Sequence, residues 1–99
     1  MNQYSEEFSW DVAGAKSYSR KLNGVRVTFI DKNGEVIGDS EENLPLDNHL
    51  NREEVKIASL EGEGFAIRKS DTLAQQMVYF CKSVNNGYVR VAVKTSTYS

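Results

Sequence analysis

The sequence predicts an α+β domain, one antiparallel sheet with accompanying helices, on three observations. Apolar residues recur at helical spacing through Leu22 and then at a period of two from Val25 onward. Two turn signals, Lys32-Asn33-Gly34 and Asn85-Asn86-Gly87, each separate closely spaced apolar runs and so demand antiparallel pairing. A second helical stretch divides the first two strands from the last three, and that order sets helices beside an antiparallel sheet. The expectation is five strands with both helices on one face.

The N-terminal helix is read over residues 1–22. Tyr4, Phe8, Val12, Ala15, Tyr18 and Leu22 follow one helical face, at steps of four, four, three, three and four. Glu6 and Glu7 near its start and Arg20 and Lys21 near its end suit the helix dipole, and Asn23-Gly24 supplies the stop. Next comes a strand with Val25, Val27 and Phe29 on one side and Arg26, Thr28 and Ile30 on the other. Glu35-Val36-Ile37-Gly38-Asp39 returns from the first turn, and residues 40–49 form a polar connection holding the only proline, Pro45. A second helix is expected from about Asn51 to Glu61. Asn51 and Glu54 form a capping-box-like start and Gly62 closes it, leaving Val55, Ala58, Ile57 and Leu60 as an apolar stripe. Phe65–Ser70, Gln76–Val84 and Tyr88–Lys94 complete the strands.

Ninety-nine residues, 39% hydrophobic, describe a single domain spanning 1–99, with the sheet and second helix in 23–95. A chain of this size buries about two-thirds of its surface, enough for one core. The net charge of −2 and the scatter of the twelve basic residues argue against nucleic acid as a partner. No apolar run approaches the length of a membrane span, and Met1–Glu7 has neither a basic n-region nor an apolar h-region. One cysteine, Cys81, excludes an internal disulfide and a cysteine zinc site, and one histidine, His49, excludes a multi-histidine metal site. No metal or cofactor is expected.

The candidates for chemistry are few. Gly62-Glu63-Gly64 is too short for a phosphate-binding loop and reads as a helix stop. Asp31 and Asp39 flank the first hairpin, where Asp31-Lys32-Asn33-Gly34-Glu35 has too few oxygen ligands for an EF-hand and turn chemistry accounts for Asp31 and Asn33. Ser40, Asp39 and His49 are near in sequence, but spacing alone makes no triad. Cys81 reads as an inert core thiol, and Asp71 and Thr72 as partners of local backbone at the crossing between two strands. Asp47-Asn48-His49-Leu50-Asn51-Arg52 has two readings. It caps the second helix, or His49 and Arg52 join Arg68, Lys69 and Arg90, with Tyr79, as the wall of a small-anion site. Guanidinium forks suit carboxylate or phosphate, and Asp71 or Glu54 could pair with the same arginines.

Several of these segments, taken in order, are similar to a known pattern. They are Arg26-Val27-Thr28-Phe29-Ile30-Asp31, Gly34, Val36, Asp39-Ser40, Asn48-His49 and Arg52, then Gly62 and Gly64. Arg68-Lys69-Ser70-Asp71-Thr72-Leu73, Met77 with Tyr79, and Gly87-Tyr88-Val89-Arg90-Val91 continue the series. The chain resembles the extracytoplasmic sensor domain of bacterial sensor histidine kinases of the phosphate-regulon (PhoR) type, from about Arg26 to Val93. Cys81-Lys82-Ser83-Val84 departs from that pattern, which commonly has a small residue and then a proline, and 42–47 is irregular for it.

The resemblance implies a PAS-like fold and a parent protein anchored in the bacterial cell membrane by spans on both sides of this domain. It implies signalling by rearrangement of helices or of a homodimer, with Tyr4, Phe8, Val12 and Ala15 serving both packing and a dimer contact. The ligand would be a small anion or a cell-envelope component, and a response regulator would be reached only through the parent kinase. The phosphoacceptor and nucleotide motifs of the kinase are absent, so no catalysis is expected of this chain. The sensor of a chemoreceptor or another membrane signalling protein is the alternative, and a freestanding small α+β enzyme is a third reading.

Overall fold

The structure, a computed structural model, describes residues 8–69 and 75–95. Among the described residues two helices, α1 (Val12–Lys21) and α2 (Glu53–Glu61), accompany five strands: β1 (Arg26–Asp31), β2 (Val36–Asp39), β3 (Glu63–Lys69), β4 (Gln76–Val84) and β5 (Gly87–Thr95). The strands form one antiparallel sheet in the order β2-β1-β5-β4-β3. The α+β class and the strand count agree with the sequence pattern. No helix among the described residues is long and apolar enough to cross a membrane.

The two helices do not share a face of the sheet. Val27 and Phe29 pack with Ala15, Tyr18 and Val89 in one cluster, whereas Ile30 packs with Val55, Ala58, Cys81 and Tyr88 in another. Adjacent residues of a strand point to opposite faces, so α1 and α2 cover opposite sides. The reason lies in β1, where Val27, Phe29 and Ile30 are all fully buried. A central strand apolar on both sides needs a cover on each.

The first helix is also shorter than its apolar stripe suggests. Asp11 is extended and its carboxylate accepts from the Gly14 N–H and the Ser9 hydroxyl, which starts the helix at Val12. Phe8 and Trp10 precede it as irregular chain, yet both join the core, stacking on Tyr18 and Phe29 at ring-centroid distances of 4.7 and 4.4 Å. Tyr4, Glu6 and Glu7, like Ser70, Asp71 and Thr72, lie outside the described residues. α2 begins at Glu53 rather than Asn51, and no side chain caps it: Arg52 holds the N-cap position and Glu54 is engaged elsewhere. Gly62, at φ +95°, closes it as expected.

Both hairpin turns form where the sequence places them. Asp31 Oδ1 accepts from the backbone N–H groups of Asn33 and Glu35, and Gly34 adopts φ +90°. Gly87, at φ +147°, lets β5 approach β1 so closely that a Cβ there would collide with the main chain of Ile30 and Asp31.

Candidate functional site

On the α2 face the register aligns polar residues in a row. Asp39 of β2 is opposite Thr28 of β1, Thr28 is opposite Arg90 of β5, Arg90 opposite Cys81 of β4, and Cys81 opposite Gly64 of β3. The last residue explains how a helix reaches this row. A Cβ on Gly64 would sit 2.6 Å from that of Ile57, so the missing side chain lets α2 lie against the sheet.

From the first turn of α2, Glu54 enters this face fully buried. Its carboxylate receives two hydrogen bonds of 2.8 Å from the Arg68 guanidinium and one of 3.2 Å from Arg90. Arg90 also donates to Thr28 Oγ1 at 3.2 Å, and the Thr28 hydroxyl donates to Asp39 at 2.7 Å. Asp39 closes the chain by accepting from Arg26 Nε at 3.1 Å and from the backbone N–H groups of Glu41 and Glu42. The Arg68 and Arg90 guanidinium carbons lie 3.9 and 4.8 Å from the Tyr79 ring centroid, within cation–π range.

The charges follow from this arrangement. Burial pushes the Glu54 and Asp39 carboxyls up, but Arg68 for the first, and Arg26 and Thr28 for the second, outweigh it and hold both below the usual carboxylate range. Arg90, 3% exposed, is lowered by burial against the pull of Glu54, and its Nε has no hydrogen-bond partner among the described residues. Arg68 is raised, chiefly by its bonds to Glu54. His49 is buried and lowered, first by burial and then by the Arg90 charge, and its Nδ1 lies 2.7 Å from the Asp47 carbonyl. A neutral imidazole that donates from Nδ1 to that carbonyl presents Nε2 as an acceptor.

Above this layer is a cleft of about 270 Å³ lined by Arg26, Glu42, Leu46, Asp47, His49, Arg52, Arg68, Tyr79 and Arg90. The five candidates His49, Arg52, Arg68, Tyr79 and Arg90 therefore meet in one place, although 41 positions separate the first from the last. Lys69 does not join them; it is exposed, and its parity on β3 sets it on the opposite face from Arg68. Nor do the other candidates converge. Ser40 Oγ accepts the Val27 N–H rather than meeting His49, and Asp39 is a buried acceptor for Arg26, Thr28 and the Glu41 and Glu42 N–H groups. Ala15 is fully buried in the chain's own core, which removes it from a partner-facing stripe; Phe8 and Val12 are half-buried. Cys81 is 2% exposed, and burial pushes its thiol up to about 12. Among the described residues no group of three or more His, Cys, Asp or Glu converges to hold a metal ion.

Sequence reasoning missed Arg26, Thr28 and Asp39 as members of the site; it gave Glu54 both to a capping box and to the arginines, and the structure shows the second. One signal was present. Arg26 and Thr28 interrupt the side of β1 that also carries Ile30, and polar residues on an inward face need partners. Chemically, the cleft presents the guanidinium groups of Arg26, Arg52, Arg68 and Arg90 and a neutral imidazole over the buried carboxylates Asp39 and Glu54, with Glu42 and Asp47 also in its lining; guanidinium forks of this kind are able to bind a small anion. No family model, no curated protein and no solved structure matches the chain.

Proposed function

We propose that the chain is a PAS-like extracytoplasmic sensing domain of a membrane-bound sensor histidine kinase, of the phosphate-regulon type that the sequence resembles. One observation carries the reading: residues that carry the resemblance, Arg26, His49, Arg52, Arg68, Tyr79 and Arg90, all line a single cleft. A stimulus of the small-anion class, carboxylate or phosphate, bound there would touch β1, β3, β4, β5, the 40–49 connection and Arg52 at the N-cap of α2 together. It would bias signalling by binding one arrangement of these elements a few kcal/mol better than another. The α1 helix packs on the other face of the strands that floor the cleft, so a shift of the sheet reaches the N-terminal helix directly. Catalysis and the response regulator belong, in this reading, to the parent protein.

The test is the coding sequence on both sides of this chain. Apolar segments of about 20 residues before and after it, followed by a kinase core, support the reading. Spans leading to a chemoreceptor module would move the domain to that class, and a reading frame without either would overturn both. The anion component is tested by thermal shift with phosphate, citrate and shorter dicarboxylates. Stabilisation should approach about 2.7 kcal/mol at a hundredfold excess over Kd and should be lost in Arg52→Ala, whose side chain is exposed and lines the cleft.

A further inference from the structure

The sheet has two edges, and they differ. β2 is four residues long, its pairing with β1 is interrupted by a bulge, and Asp11 lies against Gly38. These features blunt an edge. β3 is seven residues long, pairs with β4 in unbroken register, and no described residue's backbone bonds to its outer side. The Ser83 N–H donates to the Gly62 carbonyl, which fixes the alternation. Gly64, Ala66 and Arg68 exchange hydrogen bonds with β4, and Glu63, Phe65, Ile67 and Lys69 turn their N–H and C=O groups outward. Phe65 and Ile67 are 56% and 54% exposed, beside Phe80 at 49%, on the α1 face where α1 does not reach.

The order of β3, Glu63-Gly64-Phe65-Ala66-Ile67-Arg68-Lys69, is complementary to itself when run antiparallel about Ala66. Glu63 then lies opposite Lys69 of the second copy, and Phe65 opposite its Ile67. All four outward-facing residues fall on hydrogen-bonding positions of the new ladder, and Ala66 meets its own copy on the two-fold axis. Shifting the register by two residues in either direction sets Glu63 opposite Ile67 or Lys69 opposite Phe65. A parallel pairing sets Glu63 against Glu63 and Lys69 against Lys69. Opposite charges on facing positions stabilise a pair and like charges weaken it, so the end residues select the one antiparallel register. We infer that the β3 edge is a self-association surface whose partner is a second copy of this chain, joined two-fold through β3 into a continuous ten-stranded sheet.

Sedimentation equilibrium of the chain from about 10 µM to about 1 mM tests this, with circular dichroism melts showing that each variant folds. The wild-type chain should dimerise within that range. Glu63→Lys sets two positive charges opposite each other, the new ammonium against that of Lys69, at both symmetric ends and should raise Kd about tenfold or more. The double substitution Glu63→Lys/Lys69→Glu reverses both charges and should recover the wild-type affinity. Ile67→Pro removes an N–H that faces outward and that the β4 ladder does not use, so it should keep the fold and abolish the dimer. A chain that stays monomeric at about 1 mM overturns the inference. So does a dimer indifferent to Glu63→Lys and Ile67→Pro, or a charge-reversed double that fails to recover.

Discussion

Replacing Glu54 by Gln changes little in shape and removes one charge from beneath the cleft. Arg90 would then lie 3% exposed with neutral acceptors alone, Thr28 Oγ1 at 3.2 Å among them, and with its Nε without a partner among the described residues. Removing one member of a buried ion pair costs about 3–5 kcal/mol, because the other charge stays desolvated. The Arg68 side of the interaction contributes less, since that side chain is 37% exposed and turns readily to water. The amide still accepts a hydrogen bond, so the lower end, about 3 kcal/mol, is the expected loss. In a domain of this size that corresponds to a fall in Tm of about 10 °C or more. Urea denaturation at neutral pH followed by Trp10 fluorescence measures it, because Trp10 stacks on Phe29 in the native core. The companion is Glu54→Met/Arg90→Met, which removes both charges and should recover to within about 1 kcal/mol of wild type. A single-variant loss below about 1 kcal/mol, or a double as unstable as the single, would refute the account of Arg90 as a charge held by Glu54.

Other outcomes follow from the same geometry. Because burial and Arg90 lower the His49 pKa below 6.5, the unfolded chain takes that proton first; the stability is present above pH 6.5 and is lost as pH falls through the folded value. Urea midpoints at mildly alkaline and mildly acidic pH should therefore differ more in the wild type than in His49→Gln. Glu54 and Asp39, lowered from 4.5 and 3.8, add a second loss as pH falls below those values through their folded ones. Cys81, with its thiol at about 12, should resist a thiol reagent in mildly alkaline buffer until the chain is unfolded, since on the order of a thousandfold less thiolate is present than in a free cysteine. Gly34→Ala should cost about 1–3 kcal/mol, because a Cβ at φ +90° would meet Asn48 Oδ1 and the Leu50 backbone. Gly62→Ala, at φ +95° with open space around it, should cost less in the same denaturation assay.

The strands and turns were legible because their signals are local. Lys32-Asn33-Gly34 and Asn85-Asn86-Gly87 set both hairpins within four or five residues of chain. The helices were less so. The stripe through Tyr4, Phe8 and Val12 reads as continuous helix, yet Asp11 interrupts it by capping Gly14, and Phe8 and Trp10 reach the core from irregular chain. The Asn51–Glu54 spacing resembles a capping box, but two guanidinium groups compete for the same carboxylate and win, since an ionic bond with a buried acid outweighs a solvent-exposed cap. The cleft was half legible. His49, Arg52, Arg68 and Arg90 could be grouped by charge, and Glu54 named as a carboxylate able to pair with them, but Asp39 could not be recognised as a counter-charge. Thr28 and Arg90 meet across 62 positions of sequence, and only the register brings them together.

That register needs a device beyond hydrophobic alternation. Slipping a strand by one residue normally exposes its apolar face, which is how a sheet covered on one side chooses its pairing. Here the penalty is weaker, because β1 is buried on both sides and β5 carries Val89 and Val91 on one face and Tyr88 and Ala92 on the other. Arg90 makes the difference. A one-residue slip of β5 would turn its guanidinium toward Ala15, Tyr18 and Phe29, where no carboxylate waits, and would leave Glu54 and Thr28 without it. Burying an unpaired charge costs more than any single contact on that face contributes. The row Asp39–Thr28–Arg90–Glu54 thus selects one alignment of β1 and β5, and in doing so fixes the positions of the arginines that line the cleft above it.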